Sequence, residues 1–389
     1  MSRSRFGTDQ TTTCFQPSWK RNIMTIARPH ATLVARMGCV ALVLVLSACG
    51  SVPLTQRGIP ALEEGAGTRP PSYSLVFFIH GDGDYRFHDA DGTAHRADEE
   101  ALAGAKRVAE RNPRAEVFIF HAKPRRHALF FIPRPDGEFY YYRQGRLLVH
   151  ESYRRGRGRS RFNPEISRYH EFSAEGASQP KRFFLYFGHE IPEYDGVGYD
   201  RSYPRQAFTM PDLADGLKKM TRDSTRFDLV VLSTCFSGTP HTVSTLAPYA
   251  RTIVASPENL HLSYFDLHPF EWLDVGLLDG GTGAFAEDFA RQTFDRLSAD
   301  IQTAVTVAVY DVDRVQGYVH SVAGAYDKAL TTLKGASQGF AEHFDCAEDP
   351  AYALPERSEG VIVFYRPPSF GRSKHKLSHS GWECWKLPE

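Results

Sequence analysis

Six short apolar runs alternate along the chain with segments of helical periodicity, and this alternation restricts the fold more than any other feature. The first run, residues 73–80, is a continuous apolar run of strand length, which indicates a strand buried on both faces. Strands that alternate with helices favour a parallel sheet. We therefore predict an α/β domain with a mostly parallel six-stranded sheet covered on both faces, its strands at residues 73–80, 116–121, 182–188, 227–233, 251–256 and 304–310.

One stretch between the predicted strands departs from this pattern. Residues 129–151 carry aromatic runs interrupted by Asp136-Gly137 and Gln144-Gly145, which is typical of an antiparallel β-meander. We expect it to be an insert in a single domain over residues 73–335, followed by a C-terminal extension over residues 336–389. Helices are predicted between the strands, at residues 98–111, 210–220, 239–249, 284–297 and 313–333.

The composition is that of a globular protein and excludes one large class of function. Lys plus Arg and Asp plus Glu number 46 each, so the formal net charge is zero, and 42% of residues are hydrophobic. A protein that binds nucleic acid through bulk charge carries an excess of basic residues. We therefore expect no nucleic-acid partner.

The N-terminal segment has the layout of a secretion signal. Arg28 and Arg36 precede an apolar stretch at residues 38–46, and small residues follow. Leu46-Ser47-Ala48-Cys49 resembles a bacterial lipobox, in which the cysteine is lipidated and becomes the first mature residue. We predict a signal peptide over residues 1–48, lipidation of Cys49 and a tether over residues 49–72, with Met24 as a candidate start. A plain cleaved signal is the alternative.

Removal of the predicted signal changes the charge of the chain. Residues 1–48 contain six basic residues and one acidic residue, so 40 basic and 45 acidic residues remain, a net charge of −5. Charge alone would not draw such a domain to anionic headgroups, so lipid would provide the membrane contact. Because Gly50 follows Cys49, resemblance to lipoproteins implies the outer membrane, on its periplasmic or surface face, within the cell envelope.

The cysteine positions suggest one disulfide and one thiol. After loss of the signal and lipidation of Cys49, three cysteines remain: Cys235, Cys346 and Cys384. Cys346 and Cys384 both lie in loop-like sequence near the C-terminus, and an oxidising compartment favours their pairing. Cys235 would then be either a buried inert residue or a reactive thiol.

Two predicted strands end in residues suited to nucleophilic catalysis. Gly188-His189-Glu190 follows the third predicted strand, and Ser233-Thr234-Cys235 ends the fourth. Ligands of open α/β sheets bind beyond the carboxyl ends of the strands, so we expect His189 and Cys235 at one rim. A nearby histidine and a following helix N-terminus both favour the thiolate.

These residues resemble the caspase-like cysteine peptidases, and among them the clostripain family over the longest stretch. The likeness rests on Phe187-Gly188-His189-Glu190, on residues 228–235, on Gly81-Asp82-Gly83-Asp84 after the first strand and on Ala255-Ser256-Pro257-Glu258. It implies a caspase- or hemoglobinase-like three-layer α/β/α sandwich over about residues 73–333. It also implies a cysteine endopeptidase with peptide or protein substrates, a His189–Cys235 dyad, an acyl-thioenzyme and no cofactor.

Two positions depart from the pattern of that family. Glu190 replaces the glycine whose amide, together with the amide of the cysteine, binds the oxyanion, so the oxyanion site is assigned to the amides of Cys235 and Glu190. Ser233 stands where enzymes specific for Arg or Lys have an aspartate, and we assign it to substrate binding. Serine carries no charge and cannot hold a basic side chain by an ion pair, as aspartate does.

Two alternatives stay open at this point. An α/β-hydrolase with a cysteine nucleophile would use Cys235 in a small-x-nucleophile-x-small turn, with a later histidine such as His320 as base. A catalytically inactive lipoprotein with a caspase fold would act as a binding module. Within the peptidase hypothesis, His241 is a weaker candidate base than His189.

The remaining motifs have simpler interpretations. Residues 154–161 contain five arginines, which favours a solvated loop; a nicking site is the alternative there, as at Arg201 and Arg205. The carboxylates of Asp82 and Asp84 suit calcium but do not make a full ligand set. We find no Cys/His metal spacing and no phosphate-binding glycine loop, and we expect no bound metal.

Overall fold

A computed structural model describes residues 70–88, 92–128, 132–156, 161–173, 180–194, 198–221, 225–260, 264–277, 280–335 and 342–386. The predicted signal, Cys49 and most of the tether lie outside these residues. Among the described residues, no helix has the length and apolar character that a membrane span requires.

The secondary structure follows the predicted alternation and adds elements at both ends of the sheet. The strands are β1 (Tyr73–His80), β2 (Arg86–His88), β3 (Ala94–Arg96), β4 (Ala115–Ala122), β5 (His127–Ala128), β6 (Ile132–Pro133), β7 (Gly137–Arg143), β8 (Arg146–Tyr153), β9 (Lys181–Phe187), β10 (Phe227–Ser233), β11 (Ala250–Ala255), β12 (Val305–Asp311), β13 (Glu342–Asp345), β14 (Val361–Arg366) and β15 (Glu383–Lys386). The helices are α1 (Ala97–Arg111), α2 (Asn163–Phe172), α3 (Met210–Thr221), α4 (Pro240–Leu246), α5 (Leu273–Gly276), α6 (Gly281–Asp300) and α7 (Gln316–Gly335). Short 3₁₀ helices span His268–Trp272, Cys346–Glu348, Pro355–Ser358 and Arg372–His375.

The central sheet contains all six predicted strands and three more. Its order is β14-β12-β11-β10-β9-β1-β4-β7-β8. The five strands β11, β10, β9, β1 and β4 run parallel, while β12, β14, β7 and β8 are antiparallel to their neighbours. The α/β fold class is confirmed, and the additional strands lie at the two edges.

The edge strands come from the two segments that the sequence pattern treats as additions. β7 and β8 of the predicted meander extend the sheet beyond β4 instead of forming a separate unit, and their turn holds Gln144 and Gly145 at positive φ. On the other edge, β14 of the predicted C-terminal extension pairs with β12. Both segments therefore contribute to the sheet that carries the site.

Apolar side chains cover the sheet on both faces, which produces the three layers. Along β1, Leu75, Phe77 and Ile79 contact the layer of α1 and α6, whereas Val76 and Phe78 contact the layer of α2, α3, α4 and α7. This two-sided burial explains why the run is apolar at every position. Because β1 pairs with β4 on one side and with β9 on the other, the chain changes direction across the sheet at β1. Ligands bind beyond the strand ends at such a switch point.

Candidate active site

The structure brings His189 and Cys235 to the same rim of the sheet. Phe187, the last residue of β9, pairs with Ser233, the last residue of β10. The Gly188 N–H continues this pairing by donating to the Ser233 carbonyl at 3.3 Å. His189 and Cys235 each follow two residues after the terminal pair, so they leave neighbouring strands at the same level.

The pKa of the Glu190 carboxyl, next to His189, is raised well above its usual value. Desolvation is the largest cause of this shift, and the charges of Cys235 and Glu193 add to it.

The Cys235 thiol is buried beneath the segment that follows β11. The residue is 4% exposed and is outside the disulfide. Its Sγ donates to Asn259 Oδ1 at 3.3 Å, and the Leu260 N–H donates to Sγ at 3.3 Å. The Asn259–Leu260 segment therefore covers the sulfur in this structure.

The turn after β10 presents Cys235 on a strained backbone. Phe236 has φ 49°, in the left-handed region that non-glycine residues seldom adopt. Two backbone hydrogen bonds fix the turn. The Phe236 N–H donates to the Glu258 carbonyl at 3.3 Å, and the Ser237 N–H donates to the Ser256 carbonyl at 2.9 Å. Helix α4 then begins, and its N-cap Thr239 accepts from the Thr242 N–H at 2.9 Å.

His189 is neutral at ordinary pH in this arrangement. Burial lowers the pKa of its imidazole to about 4, and the Asp84 carboxylate opposes that shift. Asp84 itself is exposed at the rim. A neutral imidazole has a lone pair with which to accept a proton, as a general base requires.

The two positions that depart from the family pattern have different surroundings. The Ser233 hydroxyl is buried and accepts from the Phe265 N–H at 2.8 Å. The Glu190 side chain is partly exposed, with its carboxylate 4.0 Å from His343 Nε2. The assignment of Ser233 to substrate binding, and of the Cys235 and Glu190 amides to oxyanion binding, stays a prediction.

A hairpin from the C-terminal segment packs beside the site. β13 and β15 form an antiparallel pair, and a disulfide joins Cys346 to Cys384 at its end. His343 stacks on Phe236 with ring centroids 4.1 Å apart and planes at 9°, and Trp385 lies 3.8 Å from the His343 ring. The Trp385 indole N–H also donates to Glu193 Oε2 at 2.7 Å. The hairpin therefore contacts the residue that follows the candidate nucleophile.

The other candidate residues lie in less suitable places. His320 is exposed on α7, and His241 is the second residue of α4, its ring 6.1 Å from that of Tyr326. Asp82 receives hydrogen bonds from Arg155 at 2.6 Å and from the Ser202 hydroxyl at 2.7 Å, so its carboxylate is already engaged. In the part of the chain that the structure describes, no three His, Cys, Asp or Glu side chains converge on a metal position.

The solvated-loop interpretation of residues 154–161 is wrong for two of its arginines. Arg155 and Arg161 are buried, and both donate to Asp200. Arg154 is exposed, as expected of such a loop. The sequence does not reveal this ion-pair cluster, because Asp200 lies 45 residues from Arg155 and 39 residues from Arg161.

Several contacts of the site also escaped sequence analysis. Tyr85, Asn259 and His343 touch His189, Cys235 and Phe236 respectively, yet none belongs to a recognisable motif. Tyr85 directly follows the Gly81–Asp84 motif, and this adjacency is the one signal that was available.

Comparison with known proteins agrees with this geometry. Residues 186–344 match the model of the clostripain family, a stretch that includes both His189 and Cys235. Over these residues the chain is similar to the clostripain family of cysteine peptidases. This similarity supports a hydrolase that acts on peptide or protein substrates. A comparison with curated proteins found no match.

Solved structures of related fold support the architecture of this clostripain-like chain. An inactive zymogen of a C11 protease from Parabacteroides distasonis has a TM-score of 0.54 at 14% identity, over 83% of this chain and 93% of that one. A secreted C11 cysteine protease from Bacteroides thetaiotaomicron, iotapain, has a TM-score of 0.51 at 12% identity, over 81% and 93%. At these identities the likeness shows the fold alone.

Proposed function

We propose that the chain is a cysteine endopeptidase in which Cys235 is the nucleophile and His189 the general base. The observation that carries the proposal is the terminal pair Phe187–Ser233, beyond which the two residues stand at equivalent positions on adjacent parallel strands. A neutral, partly buried imidazole and a thiol at one strand rim suit this role.

The reaction proceeds in two steps through an acyl-thioenzyme. His189 accepts the thiol proton as the Cys235 sulfur attacks the peptide carbonyl carbon. The C–N bond then breaks, and the imidazolium returns the proton to the leaving amine. Next, His189 takes a proton from water, hydroxide attacks the thioester, and the sulfur leaves as a thiol. The amides of Cys235 and Glu190 stabilise the oxyanion in both steps.

Substrate access requires a change from the structure described above. The thiol contacts Asn259 and Leu260, and the Ser233 hydroxyl is occupied by the Phe265 amide. The segment after β11 therefore covers both the nucleophile and the predicted substrate position. In the active form this segment moves away from the strand ends.

The decisive experiment compares hydrolysis of a pooled peptide library by the wild type, Cys235→Ala, His189→Ala and His241→Ala. We expect the first two variants to lose hydrolysis. His241→Ala is the matched control, because it removes a histidine close to Cys235 in sequence, and it should retain activity. Hydrolysis that survives Cys235→Ala would refute the nucleophile. No cleavage by the wild type, together with a thiol inert to alkylation, would favour the inactive binding module.

We also propose that the mature chain is lipid-anchored at Cys49 in the outer membrane of a bacterial cell envelope. The layout of residues 24–49 supports this, since a basic stretch, a short apolar core and a lipobox-like ending occur in order. Expression of the full chain in a bacterium, followed by detergent phase partitioning and intact mass, tests it. The wild type should enter the detergent phase with a diacylglyceryl mass increment, and Cys49→Ala should not. An unmodified mass for the wild type would overturn the proposal.

A further inference from the structure

Tyr85 contacts His189 in two ways. The two rings stack with centroids 4.3 Å apart and planes at 22°. The Tyr85 hydroxyl accepts the backbone N–H of His189 at 2.7 Å. Tyr85 is buried, so both contacts are made away from bulk water. The same side chain thus restrains the backbone of the candidate base and the plane of its imidazole.

The Tyr85 hydroxyl is itself held by a buried chain of hydrogen bonds. His80 Nδ1 lies 2.6 Å from the hydroxyl, and His80 Nε2 lies 2.9 Å from Asp200 Oδ1. Since burial lowers the pKa of His80 to about 4, its ring is neutral at ordinary pH and carries one N–H. That N–H donates to Asp200, and Nδ1 accepts from Tyr85. The Tyr85 oxygen then has its lone pairs available for the His189 N–H, so every group in the chain is satisfied.

Asp200 is the last member of this series of hydrogen bonds, and two arginines hold it in place. The buried Arg155 and Arg161 both donate to its Oδ1. Although burial alone would raise it, the pKa of Asp200 is held below its usual value by the His80 hydrogen bond and the Arg161 charge. A permanently charged and paired carboxylate does not change partner with pH. This series of hydrogen bonds therefore runs from the ion pair of Asp200 with the two arginines to the backbone of the candidate base, His189.

Gly83 lies close to the edge of the imidazole. A Cβ atom at this position would lie 2.6 Å from both Cδ2 and Nε2 of His189, closer than any real contact of this kind. The backbone of the turn after β1 therefore lies directly against the ring edge. The turn thus restrains His189 in addition to the Tyr85 ring.

We propose that Tyr85 is a positioning residue for His189, acting through its stacked ring and through a hydroxyl anchored by His80 and Asp200. The proposal rests on the proposed function of His189 as general base. Tyr85 does not touch the reacting atoms, and it passes no proton to the imidazole, because its hydroxyl contacts the backbone nitrogen. Its effect is to limit the orientations of the base, and misplacement of a catalytic group by about 1 Å costs up to about a hundredfold in rate.

The test compares Tyr85→Phe with Tyr318→Phe. Tyr85→Phe keeps the ring and removes the hydroxyl. Tyr318→Phe is the matched control, since it removes the hydroxyl of another buried tyrosine, which donates to the Tyr352 carbonyl at 3.2 Å. We expect Tyr85→Phe to lower kcat by about tenfold or more with KM nearly unchanged, and Tyr318→Phe to leave both nearly unchanged.

A second readout does not depend on turnover. The side-chain resonances of His189, recorded by NMR in both variants and the wild type, should shift and broaden in Tyr85→Phe alone. If no form cleaves peptides, the proposed function fails, while the spectra still decide whether Tyr85 positions His189. Unchanged His189 resonances, or a Tyr85→Phe enzyme with wild-type kcat, would overturn the inference. If Tyr85→Phe does not fold, His80→Gln replaces it, because this variant removes the hydrogen-bond partner that anchors the Tyr85 hydroxyl. His80→Gln should produce the same changes to a smaller degree. If it produces none, the inference is equally overturned.

Discussion

Single residues at the rim determine whether the sulfur can react. The Cys235 thiol donates to the Asn259 carboxamide and accepts from the Leu260 amide, so the sulfur is covered in this structure. The next residue, Phe236, adopts a left-handed backbone conformation and stacks on His343. The two contacts of the thiol and the stack of Phe236 on His343 hold the covered arrangement around the sulfur.

Asn259→Ala should raise the rate at which iodoacetamide alkylates Cys235. The variant removes an acceptor of the thiol proton and part of the cover over a residue that is only 4% exposed. We expect a gain of about severalfold at neutral pH, measured by mass spectrometry of the labelled peptide, because labelling follows the accessible thiolate. Ser244→Ala in α4 is the control, since its hydroxyl bonds only locally, to the His241 carbonyl. An unchanged rate would show that Asn259 does not limit access.

His343→Phe should become more stable relative to the wild type as the pH falls. Burial lowers the pKa of His343 to about 3, against 6.5 for an exposed histidine. Between these values the unfolded wild type binds a proton that the folded state does not, so acid lowers wild-type stability. Phenylalanine keeps the stack with Phe236 and Trp385 and cannot be protonated.

Urea denaturation of both proteins at pH 7 and pH 4 measures this effect. Between pH 7 and pH 4, the free energy of unfolding of His343→Phe should rise by about 3 kcal/mol relative to that of the wild type. One pH unit corresponds to about 1.4 kcal/mol for a single site that titrates in the unfolded state alone. A difference that does not change with pH would mean that His343 is as easily protonated in the folded chain as in the unfolded one.

At the scale of elements, the site is framed by parts of the chain that are distant in sequence. Strands β9 and β10 supply His189 and Cys235, the turn after β1 supplies Tyr85, and the β13–β15 hairpin covers Phe236. Glu193 joins the hairpin to helices α4 and α7, because it accepts hydrogen bonds from Trp385, from the α4 N-cap Thr239 and from Tyr326 of α7. The C-terminal hairpin is therefore part of the site's surroundings rather than an appendage.

Loss of the disulfide should loosen this hairpin. In Cys346→Ala/Cys384→Ala, the unfolded chain regains the freedom of a segment of 38 residues, which corresponds to about 3–4 kcal/mol of lost stability. Because the hairpin stacks on Phe236, alkylation of Cys235 should also become faster. Denaturation midpoints and labelling rates of the oxidised wild type and the double variant test both statements. A large loss of stability with unchanged labelling would show that the hairpin does not cover the thiol.

At the scale of the whole molecule, a buried ion-pair cluster joins the segment after the edge strand β8 to the centre of the sheet. Arg155 and Arg161 come from the segment between β8 and α2, while Asp82 and Asp200 belong to the loops after β1 and β9. The guanidinium of Arg161 also lies 4.7 Å from the centre of the Tyr199 ring. Removal of one member leaves a buried charge incompletely paired, which is costly.

Arg161→Met should therefore destabilise the chain much more than Arg154→Met. We expect a loss of about 3 kcal/mol for the buried residue, measured as a lower urea midpoint with an unchanged slope. Arg154→Met changes an exposed residue of the same basic segment, and it should lower the free energy of unfolding by less than about 0.5 kcal/mol. Equal effects of the two substitutions would contradict the assignment of Arg161 to the cluster.

The sequence by itself determined the α/β class, the six central strands and the strand ends at which His189 and Cys235 stand. These features follow from local patterns, because an apolar run of strand length must be buried whatever surrounds it. Only the tertiary structure decided that Asn259 covers the thiol, that Arg155 and Arg161 are buried, that β14 extends the sheet and that Tyr85 contacts His189. Each of these depends on a partner far along the chain, and neither composition nor periodicity encodes which distant groups meet when the strands are laid side by side.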